Sequence, residues 1–210
     1  MYVVARDFGF APNPFHGICT LATCKPSIRS TARIGDWIVG VGGSRLRATG
    51  RCVFAMQVSE SRTFDEYWSQ AAYRDKHPVR NGSKKMMLGD NIYHHEPNQT
   101  DWIQSDSHHS YADGSVNPHN VERDTRTDRV LISRRFFYFG ENAPQIPSAI
   151  LNEIGFTNGI GHRVFAFSDC RGLFTWLFAD FGSSINQVLG DPFDFQRSDS
   201  RYSVKSNLVS

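Results

Sequence analysis

The chain has 210 residues, 40% hydrophobic and 13% aromatic, with 23 Lys and Arg against 21 Asp and Glu for a formal net charge of +2. That length suits one large domain with a genuine core, and the composition excludes a disordered chain. The near-balance of charge excludes a global field that would draw the protein onto nucleic acid or an acidic membrane, so any polyanion contact has to come from local arginine clusters.

Four cysteines, Cys19, Cys24, Cys52 and Cys170, fall short of a secreted disulfide framework. The first residues lack a basic region followed by an apolar run, and no apolar stretch reaches the ~20 residues of a spanning helix. A cytoplasmic protein with reduced thiols, no signal peptide and no membrane segment is expected.

Tyr2–Ala5 reads as a short strand. Phe8-Gly-Phe-Ala-Pro-Asn-Pro-Phe15 is then a loop stiffened by two prolines, with three phenylalanines that build a satellite core or wall a flat pocket for a base. Pro26 is expected to end any helix near Lys25, which leaves His16–Arg29 as a short strand or turn. His16, Cys19 and Cys24 lack the second half of a zinc motif, so the thiols read as small buried hydrophobes. The alternative, Cys24 as a nucleophile with its pKa lowered by Lys25, rests on adjacency alone.

Gly35-Asp36 launches the strongest strand signal of the chain, Trp37–Val41, which is paired through a Gly- and Arg-containing connector with Cys52–Val58 as a β-hairpin. Thr63 with Glu66 forms a capping-box pattern ahead of a helix to Arg74. Its Phe64, Tyr67, Trp68, Ala71 and Ala72 share one face, which is expected to pack. Residues 75–128 are polar and punctuated by glycine and proline, with His94, His95, His108, His109 and His119 among the eight histidines. The tryptophan and tyrosines in this segment favour an ordered functional loop. With no HxH, HExxH or HxxxH spacing in it, no metal is expected, and no other cofactor either.

Asp128–Gly140 reads as one strand, with a basic patch in Arg123, Arg126, Arg129 and the arginines near Ser133. A short helix Ser148–Ile154 capped by Gly155, a strand Arg163–Phe167 and a helix through Leu173–Phe181 follow. The Ser-rich end after Arg197 reads as frayed.

Four segments together, Lys25-Pro-Ser-Ile-Arg29, GDWIVGVG, GRCVFAMQVSES and RVLISRRFFYFG…IP, resemble the small-barrel superfamily that includes the PUA, ASCH, EVE and YTH domains. The resemblance implies an α+β fold: a small PUA-like mixed β-barrel with flanking helices and a long inserted loop segment. A closer resemblance, on FGFAPNPFHGICTLATCKPSIR, GDWIVGVGG, GDNIYHH and the stretch around Trp102, is to the second of the bacterial and phage families called nucleotide-modification-associated domains. It implies a single domain over residues 1–200, with 75–128 as an insertion and 201–210 as a flexible tail, in a DNA-modification or phage-defence setting.

The function expected is binding of a (modified) nucleobase or nucleotide, in DNA or free. Phe10, Phe15 and Trp102 are the candidates for stacking, His16, Asp90, Asn91 and His94 for hydrogen bonding, and Lys25 and Arg29 for phosphate. The alternative is an enzyme hydrolysing or modifying a nucleobase or nucleoside, with Lys25 as nucleophile or base. Some ASCH-like relatives hydrolyse an acylated nucleoside near a G-x-K-x-x-E-x-R motif. Lys25 and Arg29 would match its lysine and arginine, with Thr23 nearby, but the acidic position is absent and the spacing is one residue short. A third reading is a protein-interaction domain whose histidine-rich loop meets a partner.

Overall fold

The computed structural model describes residues 1–209. The fold is mixed α and β, with strands paired in four small sheets of four, three, two and two strands. The largest has the order β1 (Tyr2–Val4), β3 (Trp37–Gly42), β4 (Cys52–Gln57), β9 (Phe136–Tyr138). β1 runs parallel to β3 and the other pairs are antiparallel. The second sheet is β2 (Cys19–Leu21), β8 (Val130–Ser133), β5 (Glu60–Arg62).

The expected hairpin is β3–β4, paired from Trp37 opposite Gln57 to Val41 opposite Cys52, with a register shift at Gly40/Val41. Gly40 is required there because a Cβ would overlap the Phe54 ring. Trp37 packs on Phe174 with ring centroids 4.9 Å apart, and Phe54 is fully buried, so both residues serve packing. Full burial of Phe54, Phe136 and Phe137 contributes about 2–3 kcal/mol each.

Several elements differ from the sequence expectation, each for a local reason. Asp128–Gly140 is two strands, because the chain bends at Arg134-Arg135 and passes from the second sheet to the first. Its partner β4–β5 turns at Val58-Ser59 in the same way, so one bent strand pair runs through both sheets. Pro26 opens a helix, α1 (Pro26–Thr31), where its missing N–H falls in the first turn and costs nothing. The capping box of Thr63 and Glu66 is present, but α2 (Phe64–Ser69) stops at an extended Gln70. A 3-10 turn then leaves Ala71 and Ala72 exposed. Arg163–Phe167 forms no strand; only His162 bridges to Tyr2.

Residues 75–128 hold α3 (Lys84–Met87), the paired β6 (Tyr93–His94) and β7 (Ile103–Gln104), and α4 (Pro118–Thr125). α5 (Ser148–Ile154) ends at Gly155 in the left-handed region, as expected, and α6 (Arg171–Phe181) covers the large sheet. The last described residues pair as β10 (Tyr202–Ser203) with β11 (Leu208–Val209). Among the described residues no helix is long and apolar enough to cross a membrane.

Two hydrophobic cores result. One lies between the large sheet and α5–α6; the other gathers Phe8, Phe10 and Phe15 with Phe64, Tyr67, Tyr93 and Ile132. Asp7 stands where they meet. Its buried carboxylate accepts from Tyr138 Oη at 2.5 Å and from the Gly9 N–H at 3.2 Å, tying the phenylalanine loop to β9.

Burial outweighs these bonds and pushes the Asp7 carboxyl up from 3.8 to about 6. Between those values the folded state holds a proton that the unfolded chain has released, so stability falls as pH rises through this window. Relative to Asp7→Asn, the native protein should lose about 3 kcal/mol of unfolding free energy between pH 3.5 and 7, measured by denaturant titration at each pH. Parallel curves for the two proteins would contradict a neutral Asp7.

Candidate active site

Between β1, the phenylalanine loop, α4 and the C-terminal hairpin lies a cleft of about 140 Å³. Cys24 and His109 line its floor, Phe8, Phe10, Tyr2 and Tyr202 its walls, and Lys25 and Arg123 its rim.

The floor begins with the backbone. Cys24 and Lys25 are consecutive non-glycine residues in the left-handed region, with φ of 54° and 40°. Two such residues cost of order 1–3 kcal/mol each and persist only where their surroundings hold them. Here the Cys24 N–H donates to Asp124 Oδ1 at 2.8 Å, and the Cys24 carbonyl accepts from Arg29 Nε at 3.0 Å. The turn thus aims the Cys24 side chain into the cleft, and α1 begins directly after it.

His109 stands opposite, with Nε2 3.6 Å from Cys24 Sγ. Its Nδ1 donates to Asp124 Oδ2 at 2.7 Å, and both side chains are almost wholly buried, at 2% and 1% exposure. The His109 carbonyl is held by Asn120 Nδ2 at 2.7 Å and by Gln104 Nε2 at 3.2 Å. Asp124 also accepts from Tyr93 Oη at 3.0 Å. Cys24, His109 and Asp124 are therefore arranged as nucleophile, base and orienting carboxylate.

The electrostatics follow the geometry. Burial lowers the His109 imidazolium, but the Asp124 charge and then the Cys24 thiolate overcome it and raise the group to about 10. Burial raises Cys24, yet the charge and hydrogen bond of His109 leave the thiol below its ordinary value. Asp124 is likewise pushed up by burial and brought below the usual carboxylate range, chiefly by His109. Each charge therefore favours the other, and both shifts run towards a thiolate–imidazolium pair.

The same residues are the cluster that offers a metal three ligand atoms within 4.8 Å of one another. Asp124 and Cys24, however, sit on opposite edges of the His109 ring, so an ion on one nitrogen forfeits the contact at the other. The arrangement suits proton transfer better than metal binding.

His108, the next residue, is a chemical opposite. Its Nδ1 lies 2.6 Å from the Ser200 carbonyl, which only accepts, so Nδ1 carries the hydrogen. Burial and then the His109 charge hold this imidazole down at about 3, and it is neutral, packed on Phe8 at 4.5 Å and Phe10 at 5.2 Å.

Of the residues singled out in the sequence, Phe10 and Lys25 reach the cleft, as does Cys24, the alternative nucleophile, whose thiol is lowered by His109 rather than by Lys25. The others are dispersed. Phe15 packs on Phe195 in the second core, and His16 is exposed. Arg29 is buried, with its donors taken by the carbonyls of Cys24, Asp124, Thr127 and Arg129. Asp90 accepts from Thr20 at 2.7 Å and Tyr67 at 2.9 Å inside the second core, and Asn91 donates to the Tyr67 carbonyl at 2.7 Å. His94 stacks on Trp68 at 3.8 Å, and Trp102 meets Phe64 edge-on at 5.4 Å.

His109, Asp124, Arg123 and Tyr202 were not selected from sequence as site residues. The available signal was weak: one thiol beside a lysine and a His-His pair framed by serines, with 85 residues separating Cys24 from His109.

No curated protein and no solved structure matches the chain. The family model described as nucleotide modification associated domain 2 matches residues 1–199, which include Cys24, His109, Asp124 and every other cleft residue except Tyr202. By that match over nearly its whole length, the chain belongs to the nucleotide modification associated domain 2 family.

Proposed function

We propose that this protein is a thiol-dependent enzyme of nucleotide modification, acting on an acyl- or amide-type carbon carried by a nucleobase. One observation carries the reading: the Cys24 thiol faces His109 Nε2 at 3.6 Å while Asp124 holds Nδ1 at 2.7 Å, at the floor of a cleft. The family gives the nucleotide context, and the aromatic walls of Phe8, Phe10, Tyr2 and Tyr202 suit a planar heterocycle.

In the first step Cys24 Sγ attacks the carbonyl carbon, a C–S bond forms, and the π electrons move onto oxygen. Collapse of that intermediate breaks the bond to the leaving amine, which takes the proton from His109 Nε2. Water, deprotonated by His109, then attacks the thioester and returns the thiolate. Asp124 keeps the proton on Nδ1 throughout and stabilises the imidazolium. Lys25, the candidate nucleophile from sequence, becomes a rim cation in this mechanism.

A binding module for a modified base remains the second reading, favoured by the same aromatic walls. The bent strand pair shared by the two sheets supports a PUA-like, partly open barrel as the scaffold. A bacterial or phage DNA-modification or defence setting in the cytoplasm is part of the proposal.

Alkylation by iodoacetamide, followed by intact-protein mass spectrometry, tests the ion pair without a known substrate. An ordinary thiol of pKa about 8.5 loses about two-hundredfold in rate between pH 9 and pH 6. Cys24 should lose clearly less than that over the range, and His109→Gln should restore the steep profile. A steep profile in the native protein would sink the thiolate assignment.

Turnover is the second measurement, with nucleotides bearing amide-linked base substituents as substrates. Cys24→Ala should abolish it, and Asp124→Asn should lower kcat by about a thousandfold by loosening the His109 tautomer. Tight binding of these nucleotides to native protein with no product would instead select the binding module.

A further inference from the structure

The cleft carries positive charge that the thiol mechanism does not use. Lys25 Nζ lies 4.4 Å from the centre of the Tyr2 ring, and Arg123 reaches only the Tyr202 hydroxyl, at 3.4 Å. Neither has a carboxylate within ion-pairing distance among the described residues. They stand close enough that Arg123 adds to the lowering of the Lys25 ammonium, which burial begins and the Cys24 thiolate opposes. The field of the Cys24 thiolate favours both cations, and for Arg123 that of Asp124 adds to it, but neither head group is ion-paired, so donors on both remain open to a ligand's anion.

Lys25, Arg123 and Tyr2 also line a second, open hollow of about 590 Å³ that adjoins the cleft. Arg126 and Lys205 extend its basic lining, and the one carboxylate there among the described residues, Glu122, is taken by Arg126 at 3.0 Å. Among the described residues the inner cleft has no acidic side chain in its lining. The electrostatic layout is thus an aromatic slot ending at the thiol, a doubly cationic rim, and an open basic groove outside.

We infer that the rim formed by Lys25 and Arg123 is a phosphate-binding subsite, so that the group presented to Cys24 is carried on a phosphorylated nucleotide rather than a free base or nucleoside. The inference rests on the thiol-enzyme reading and specifies its substrate class. Guanidinium and ammonium groups together offer a phosphate charge-assisted hydrogen bonds from two sides. The base then points inward between Phe8, Phe10 and Tyr202 while the phosphate stays at the mouth.

Paired alkylating agents of different charge test this. The ratio of Cys24 alkylation rates by iodoacetate, an anion, and iodoacetamide, which is neutral, is measured at pH 7 and divided by the same ratio for glutathione. General changes in thiol reactivity cancel from that quotient. It should be about tenfold in favour of iodoacetate and shrink as salt is raised. Lys25→Met and Arg123→Gln together should remove most of it, and what remains belongs to the His109 and Arg6 cations, which also line the cleft.

Inorganic phosphate and a deoxynucleoside 5′-monophosphate should protect Cys24, and the parent deoxynucleoside should not. Stronger protection by a short single-stranded oligonucleotide than by the monophosphate would identify a strand as the source of the phosphate; the reverse order would identify a free nucleotide. A quotient unchanged in the double variant, or equal protection by nucleoside and monophosphate, overturns the subsite while the thiol reading stands. Failure of Cys24 to react with iodoacetamide at pH 7 overturns the thiol reading itself.

Discussion

The Asp124 carboxylate is nearly inaccessible to water, and an isolated charge there would cost several kcal/mol even after relaxation. It is stabilised by the Cys24 N–H, the Tyr93 hydroxyl and the His109 imidazolium, which come from three separate parts of the chain. Each of those donors is positioned by the bond it makes. The carboxylate holds the left-handed turn at Cys24 in place, sets the His109 tautomer, and anchors α4 against β6. Arg29 reinforces the same junction from the other side by donating to the Asp124 carbonyl and to the Cys24 carbonyl. Without this node the strained turn would relax and the thiol would lose its base.

The cleft lies at the seam of the two cores, and this position explains its chemistry. A site within one core would be closed, and a site on one sheet face would be wet. At the seam, Phe8 and Phe10 cover His108 and His109 while Cys24 stays partly exposed in the cleft. His108 and His109 show how finely such a place divides neighbouring residues. They are adjacent in sequence and equally buried, yet one faces a carbonyl and stays neutral while the other faces a carboxylate and stays charged. The difference is the partner, because burial alone drives both imidazoles towards the neutral form.

Elements governed by contacts a few residues apart were legible in the chain. The β3–β4 hairpin follows from its β-branched and aromatic composition, and the Thr63–Glu66 capping box closes within one helical turn. Gly155 ends α5 because its φ of 71° is open to glycine at little cost. Expectations failed where a distant contact overrode a local one. Asp128–Gly140 looks continuous, yet it bends between two sheets because its partner β4–β5 bends too. Arg29 and Asp90 look like ligands for phosphate and base. Both are consumed inside the protein, one by backbone carbonyls and the other by Thr20 and Tyr67.

From the sequence alone came the hairpin scaffold, the cap-defined helices, the aromatic loop at Phe8–Phe15, the ordered nature of the histidine-rich segment and the resemblance to a nucleotide-modification family. All but the resemblance, which rests on whole segments of likeness, are written in composition or in spacings of a few residues, where propensity and hydrogen-bond reach act directly. The pairing of Cys24 with His109 and Asp124 across 85 and 100 residues was decided only by the tertiary structure. A thiol beside a lysine looks the same in sequence whether it fills a core or faces a cleft. Its reactivity depends on a charge 3.6 Å away, and the folding of two cores against each other is what brings that charge into reach.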